Sequence, residues 1–446
     1  MATETMDGLL SFTESKTTGG NYFVSNYPPY SFWTPTQLGA FFSTLERPPE
    51  TQVPLGIYIH IPFCRKRCHF CYFKVYTNKK AVEIQGHLQS IINELAIYSQ
   101  KPFTGARKPS FIYFGGGTPS YLSTTQLTTL ATEMKKIFPW EKAEEITFEC
   151  EPGTLTQKKI QVIKKIGVTR LSLGVEHFDN HVLEINGRAH RSAEIFRAYE
   201  YARTASFSQI NIDLIAGMVG ETEKKWQETV KQALLLEPDS LTVYQMEVPY
   251  NTAIYKTMKL SGKKIAPIAD WPTKRGWTNY AFEEFEKAGY TVNSGYTAVR
   301  NPSRTRFVYR DQLWKGADLI GVGVASFGHI QGIHYQNEQN FESYDKKIAT
   351  REVPAYKTLA LTQEERLIRE LILQLKLGHV SRCYFQKKFQ IEIYQRFSRQ
   401  LHLLRKAGLL NWDKENLTLT RLGLLQVDFI LPEFFLPRHR NAGNTL

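Results

Sequence analysis

Cys64, Cys68 and Cys71 stand close together in the run Tyr58-Ile-His-Ile-Pro-Phe-Cys-Arg-Lys-Arg-Cys-His-Phe-Cys-Tyr-Phe73. Thiolates are soft ligands that suit iron–sulfur clusters or zinc. A closed site of either kind takes four protein ligands, and no fourth Cys lies near this loop. A cubane [4Fe–4S] cluster held by three thiolates leaves one iron open to a small molecule. The competing readings are a zinc site completed by His60 or His69, or thiols packed as small hydrophobes. The loop by itself leaves all three open.

The elements around the loop say where such chemistry would sit. From Leu55 onward, short β-rich runs (Gly56–Ile61, Ser110–Phe114, Glu145–Cys150, Arg170–Val175, Ile210–Ala216, Ser240–Met246) alternate with amphipathic segments. The latter are Ala81–Tyr98, Thr125–Phe138, Gln157–Ile166, Ala193–Ala202 and Glu223–Leu235. Strands separated by helices make βαβ units with right-handed crossovers, hence an α/β fold built on a parallel sheet. Six units suit a partial (β/α)6 barrel. Parallel barrels place chemistry at the carboxyl ends of their strands, and the polar residues fall there. The Cys loop follows the first strand and Gly115-Gly-Gly-Thr-Pro119 the second. Glu149 and Glu151 close the third, Glu176 ends the fourth, Asp213 lies in the fifth, and Gln245 and Glu247 end the sixth.

Flanking segments divide the chain further. Residues 1–50 hold Asn26-Tyr-Pro-Pro-Tyr-Ser-Phe-Trp33 and read as an extended arm or lid, before a barrel over 51–250. Residues 251–357 read as a connecting region that completes a substrate pocket, and 358–446 as a winged-helix-like domain. In that domain Thr362 and Glu365 make a capping box ahead of an apolar stripe. A second helix is expected over Ile391–Lys406, stopping at Gly408, and a hairpin turns at Asp413–Asn416. The tail Phe429-Ile-Leu-Pro-Glu-Phe-Phe-Leu-Pro437 is apolar enough to be buried against the barrel mouth.

Composition is that of a globular protein: 446 residues, 42% hydrophobic and 22% charged. No run approaches a membrane span. Met1 to Tyr22 has no export pattern, and five cysteines, three of them clustered, do not form a disulfide framework, so a cytoplasmic setting is expected. The net charge of +13 is scattered, with lysine pairs inside amphipathic helices. That disfavours a nucleic-acid partner and is compatible with an anionic small-molecule substrate.

Tyr58-Ile-His-Ile-Pro-Phe-Cys64, Gly115-Gly-Gly-Thr-Pro119, Arg170-Leu-Ser-Leu-Gly-Val175 and Asn211-Ile-Asp-Leu-Ile215, in this order, resemble the oxygen-independent coproporphyrinogen III oxidase-like branch of radical S-adenosylmethionine (SAM) enzymes. The likeness runs over roughly residues 50–430. It implies a radical SAM barrel in which Cys64, Cys68 and Cys71 hold a [4Fe–4S] cluster. SAM on the open iron would be cleaved to a 5′-deoxyadenosyl radical with an electron from a flavodoxin or ferredoxin. It also implies that Tyr58, Phe70, Gly115, Gly116, Gly117 and Glu149 surround that SAM. A second SAM would be met by Gly117, Thr118, Glu176, Arg188 and Asp213. Arg188 is then expected to fork onto a carboxylate and Asp213 to take ribose hydroxyls. Permanent ligation by His60 would block SAM, so His60 is expected to pack beneath the loop.

Two departures bear on the reaction. Glu176 stands where the family commonly has Gln. Phe73 stands where porphyrin-decarboxylating members carry a further Cys, which argues against routine coproporphyrinogen decarboxylation. Methyl or methylene transfer to a carbon of a small-molecule substrate, with Glu176 in the catalytic set, is therefore the leading expectation. Oxygen-independent coproporphyrinogen oxidation or other haem-directed radical chemistry, and a haem-binding chaperone, are the alternatives. Cys150 is read as structural, with a relay role as the alternative, and Cys383 as buried filler.

Overall fold

The computed structural model describes residues 16–50 and 53–440. Six parallel strands form its centre: β1 (Leu55–Ile61), β2 (Phe111–Gly116), β3 (Glu145–Cys150), β4 (Arg170–Glu176), β5 (Gln209–Ala216) and β6 (Ser240–Gln245). Helices Ala81–Ser99, Thr124–Ile137, Gln157–Lys165, Ser192–Thr204 and Glu223–Leu235 cover the outside. Local sequence starts these helices on time. Ser123, Thr156 and Thr222 each cap a first turn by accepting a backbone N–H. Leu127, Leu130, Ala131 and Met134, at helical spacing, are buried against the strands. This is the partial α/β barrel expected of the sequence.

Residues past the barrel strands prolong the sheet at both edges. These are β7 (Thr291–Val292), β8 (Thr297–Val299), β9 (Asp318–Val322), β10 (Phe327–Ile330), β11 (Ile333–Asn337) and β12 (Ala355–Ala360). The full order is β12-β11-β10-β9-β1-β2-β3-β4-β5-β6-β8-β7, with β9 parallel to β1 and β8 antiparallel to β6. The last unit is a three-stranded sheet in the order β13 (His379–Ser381), β15 (Asn416–Leu419), β14 (Leu410–Trp412), packed with helices Gln363–Leu375, Arg382–Phe389 and Ser398–Lys406. This is a winged-helix arrangement.

Three local expectations are corrected. The run Ile391–Lys406 is two pieces, Ile393–Arg396 and Ser398–Lys406, because Phe397 leaves helical geometry (φ −115°, ψ 23°) to bury its ring against Phe434. The N-terminal arm contains a helix, Leu38–Leu45, whose Phe41 and Leu45 are fully buried. Cys383 is exposed. It stands on the solvent side of a helix whose inward positions are Phe385 and Phe389.

Candidate active site

The chain leaves β1 into the Cys loop, which is pinned on several sides. Cys64 N–H donates to Tyr76 O (3.1 Å), and Tyr76 N–H returns to Pro62 O (2.8 Å). His69 is held by its backbone to Asn186 and by its ring to Ile185 O (3.0 Å), so it is occupied away from the thiols. Arg65 forks onto Glu151 (3.0 and 2.9 Å), and buried His190 meets the same carboxylate at 3.0 Å. Arg65 and His190 hold the Glu151 carboxyl down at about 2 against the upward push of burial. A charged clamp thus ties the loop to the end of β3.

All three thiols line one large cavity of about 570 Å³ at the carboxyl ends of the strands. Thr118 Oγ1 donates to Cys64 Sγ (3.2 Å), and Arg188 Nη1 donates to Cys68 Sγ (3.3 Å). Burial pushes the Cys64 thiol up to about 11 and the Cys71 thiol to about 12. Among the described residues no group of three His, Cys, Asp or Glu side chains converges as the ligands of one ion would. The donor set itself, three thiols lining one cavity with no fourth cysteine beside them, suits a cluster in which each sulfur would take a different iron whose charge would favour the thiolate.

Beyond β2 the backbone itself forms the wall. Gly116 has φ +111°, and a Cβ there would stand 2.6 Å from the His60 ring. A Cβ on Gly117 would stand 3.0 Å from Cys64 Sγ. Only glycine leaves room here for a ligand to approach the main chain beside the thiols. His60 packs beneath, neutral, its ring nitrogen 3.1 Å from the Tyr58 hydroxyl and its basicity pushed down to about 4 by burial. Gly115 N–H and C=O lie in the same turn, and a Cβ there would meet Glu149 at 3.1 Å.

Three of the carboxylates lining the cavity, Glu149, Glu176 and Asp213, are those expected at the SAM sites. Glu149 accepts from the Tyr113 hydroxyl (2.6 Å) and Gly116 N–H (3.2 Å), yet burial raises it to about 7. Glu176 sits at a register shift between β4 and β5 with φ 65°, a left-handed conformation costly for a side-chain-bearing residue. The shift turns its carboxyl inward to Arg188 (3.7 Å), and burial raises it to about 7. Asp213 accepts from Ser172 (2.7 Å) and Asn211 (2.9 Å), and burial raises it as well. Arg188 also donates to Gly174 O at 2.5 Å. The residues expected of both SAM sites therefore line one continuous space, apart from Tyr58 and Gly115 just behind it. Arg188, however, is already paired with Glu176 and a thiol. Phe70 lines the cavity from the Cys loop and packs against the cluster of Val182, Met218 and Met246. Cys150 is buried, its sulfur directed to Phe148 O at 3.9 Å.

The remaining walls come from residues no motif marked. Phe307, Tyr309, Arg310 and Trp314 close one side, Tyr244 and Tyr296 another, and Phe23 and the segment Leu424–Phe429 cover the mouth. Gln245 at the end of β6 donates to Leu425 O (2.8 Å), and buried Lys376 binds Asp428 (2.8 Å), which accepts Val24 N–H (2.8 Å). The apolar tail is buried here as its composition requires. Arg170 was quoted only as part of a strand motif. The signal available in sequence was period-two polarity inside apolar strands: Arg170, Ser172 and Glu176 on β4, Asn211 and Asp213 on β5.

A partial barrel with three cysteines after its first strand and a glycine turn after its second is the arrangement that the radical SAM likeness leads one to expect. The radical SAM superfamily model matches residues 58–233. The haem chaperone HemW of Bacillus subtilis is 29% identical over 380 residues, covering 82% of this chain and 96% of that protein. The oxygen-independent coproporphyrinogen III oxidase of Helicobacter pylori is 28% identical over 406 residues, covering 86% of each. The solved coproporphyrinogen III oxidase HemN of Escherichia coli has the same fold, with a TM-score of 0.78, 23% identity and coverage of 96% of this chain and 98% of the other. The chain's motifs, its fold and these relatives together support a likeness to the oxygen-independent coproporphyrinogen III oxidase-like branch of radical SAM enzymes. Its cofactors are a [4Fe–4S] cluster and SAM, and no described helix is long and apolar enough to cross a membrane. The relatives are named for porphyrin and haem, which favours those alternatives over the expected alkyl transfer to another small molecule.

Proposed function

We propose that this protein carries out SAM-dependent radical chemistry on a porphyrin-type tetrapyrrole. The observation that carries the reading is the cavity wall. Tyr113, Tyr244, Tyr296, Phe307, Tyr309 and Trp314 surround a space large enough for an extended ring system beside the thiols. Tyr113 and Tyr309 lie 4.4 Å apart between ring centres, and Phe307 and Tyr309 6.0 Å, so they present a broad apolar face. Relatives named for coproporphyrinogen oxidation and for haem share a tetrapyrrole ligand.

The cluster with SAM supplies the radical. The chain's own residues place it: Cys64, Cys68 and Cys71 ligate, and the Gly115–Gly117 backbone and Glu149 receive the amino-acid end of SAM. Thr118, Arg188 and Asp213 stand where a second SAM would be met. Glu176 keeps Arg188 charged and in place, acting as a positioning residue. Closure by Leu424–Phe429 keeps water from the reacting carbon.

The test is anaerobic turnover of the reconstituted enzyme with SAM and a reductant, offered coproporphyrinogen III and haem separately. Mass analysis should find SAM-dependent change in one of them with 5′-deoxyadenosine released in proportion. Binding of neither tetrapyrrole overturns the reading. A second reading, haem carriage without turnover, draws on Phe73, whose half-exposed ring replaces a thiol expected of decarboxylating members. Stoichiometric haem binding without product would favour it.

A further inference from the structure

Arg170 is a buried charge that makes no hydrogen bond or close ion pair with any described residue and feels Glu145 and Asp213 only at longer range. It opens β4, is 3% exposed and lines the cavity. Its guanidinium lies over the face of Phe307, 4.2 Å from the ring centre. Neighbouring carboxylates are engaged elsewhere. Glu145 accepts the backbone N–H groups of Val308 (3.0 Å) and Tyr309 (3.1 Å), and Asp213 accepts from Ser172 and Asn211. By contrast Arg65, Arg107, Arg188 and Arg310 each reach a carboxylate.

A buried guanidinium left unpaired costs stability, and such an arrangement is kept when a ligand supplies the missing anion. Stacking on Phe307 occupies one face of the plane and leaves the in-plane N–H donors for a bidentate acceptor. Arg65, Arg188 and Arg310 also line the cavity but each already meets a carboxylate, so Arg170 is the deeply buried guanidinium there with its polar edge still open to an anionic group.

We propose that Arg170 binds a carboxylate carried by the substrate and so fixes which way the substrate lies in the cavity. This deepens the tetrapyrrole reading, and rests on it only for the identity of the acid, a propionate on the ring's edge. The ring would lie along Phe307 and Tyr309 with its acid at β4 and its opposite edge toward the Cys loop.

The test measures binding of two probe pairs to reconstituted enzyme: coproporphyrin III against its tetramethyl ester, and 3-phenylpropionate against its amide. Wild type should prefer each acid, and Arg170→Gln should lose that preference, about 10- to 100-fold for charge-assisted bonds. Arg170→Lys should keep part of it. Cluster content and melting temperature should stay near wild type in both variants, since neither a hydrogen bond nor a close ion pair to a described residue is lost. Acid preference retained in Arg170→Gln overturns the proposal, as does wild type binding 3-phenylpropionate no better than its amide. A large fall in melting temperature with preference intact would make Arg170 a structural counter-charge and also overturn it. Arg170-dependent binding of 3-phenylpropionate without any porphyrin binding would uphold the carboxylate site and sink the tetrapyrrole reading.

Discussion

At the Cys-loop end of the cavity each buried charge has an answer: Arg65 and His190 meet Glu151, and Arg188 meets Glu176 and a thiol. At the β4 end Arg170 stacks on an aromatic face and makes no close ion pair or hydrogen bond with a described residue. The two ends differ in what they wait for. A loop that holds a permanent cofactor gains from polar groups already locked in place, because their ordering is complete before the ligand arrives. A wall that receives and releases a substrate must leave its strongest donor open. The contrast separates scaffolding charges from reading charges within one pocket.

The contrast breaks most severely at the thiols. Replacing Cys64, Cys68 or Cys71 by Ala should abolish cluster assembly and with it all release of 5′-deoxyadenosine. Iron content and liquid chromatography of the nucleoside measure both. An Ala variant that still cleaves SAM would mean that the three cysteines are not the ligand set.

The next largest effect belongs to the clamp. Glu151→Gln strips the charge from a carboxylate that the Arg65 guanidinium and the buried His190 ring share, and should cost about 2–4 kcal/mol of stability, read from urea unfolding. Its pH dependence has a definite sign. The folded Glu151 lies near 2, below the ordinary carboxylate value of 4.5. Its contribution is therefore full above roughly pH 5 and fades as pH falls from 4.5 toward 2. The Gln variant should lack this slope. The Arg170 end offers no such paired contribution.

How much of this was legible beforehand follows the range of the interactions. The Cys loop, the glycine turn and the strand-end acids are local signals, and each lies on the expected rim. Helix starts were legible where Ser123, Thr156 and Thr222 cap them. What escaped depends on chain brought from far away. Phe307, Tyr309 and Trp314 belong to a stretch with no clear period, and become a wall only because β9 pairs in parallel with β1. Leu424–Phe429 covers the mouth only because Gln245 and Lys376 hold it there. Arg170 stands out in the sequence only as the first residue of a strand motif. Its burial follows from Phe307 arriving over it, which no local pattern encodes. Cys383 was misjudged for the converse reason, since cysteine's preference for burial yields to a helix that turns Phe385 and Phe389 inward.

A smaller, graded effect sharpens the comparison at Glu149. Burial raises its carboxyl to about 7 in the absence of ligand, so near neutral pH it is only partly ionised. An amino group donating to it favours the ionised form. SAM affinity should therefore rise with pH up to about 7 and flatten above, by at most about tenfold per unit on the acid side. Calorimetric titration between pH 6 and 8 measures the slope, and Glu149→Gln should bind more weakly and without it. An unchanged slope in that variant would assign the titration to another group.

The smallest expected effect is at Cys383, and it bounds the comparison from outside the cavity. The thiol is exposed on a winged-helix face, and burial raises those of Cys64, Cys71 and Cys150. An alkylating reagent acts on thiolate at accessible positions, so Cys383 should react first in the folded apoprotein. Cys383→Ser removes no packing and should change stability by no more than about 0.5 kcal/mol. Cluster content and SAM cleavage should match wild type. Peptide mass mapping after brief treatment with iodoacetamide decides the order of labelling. Faster labelling of Cys64 or Cys71 would show that the loop end is more open than its polar clamp implies, and would weaken the distinction between a locked end and a receiving one.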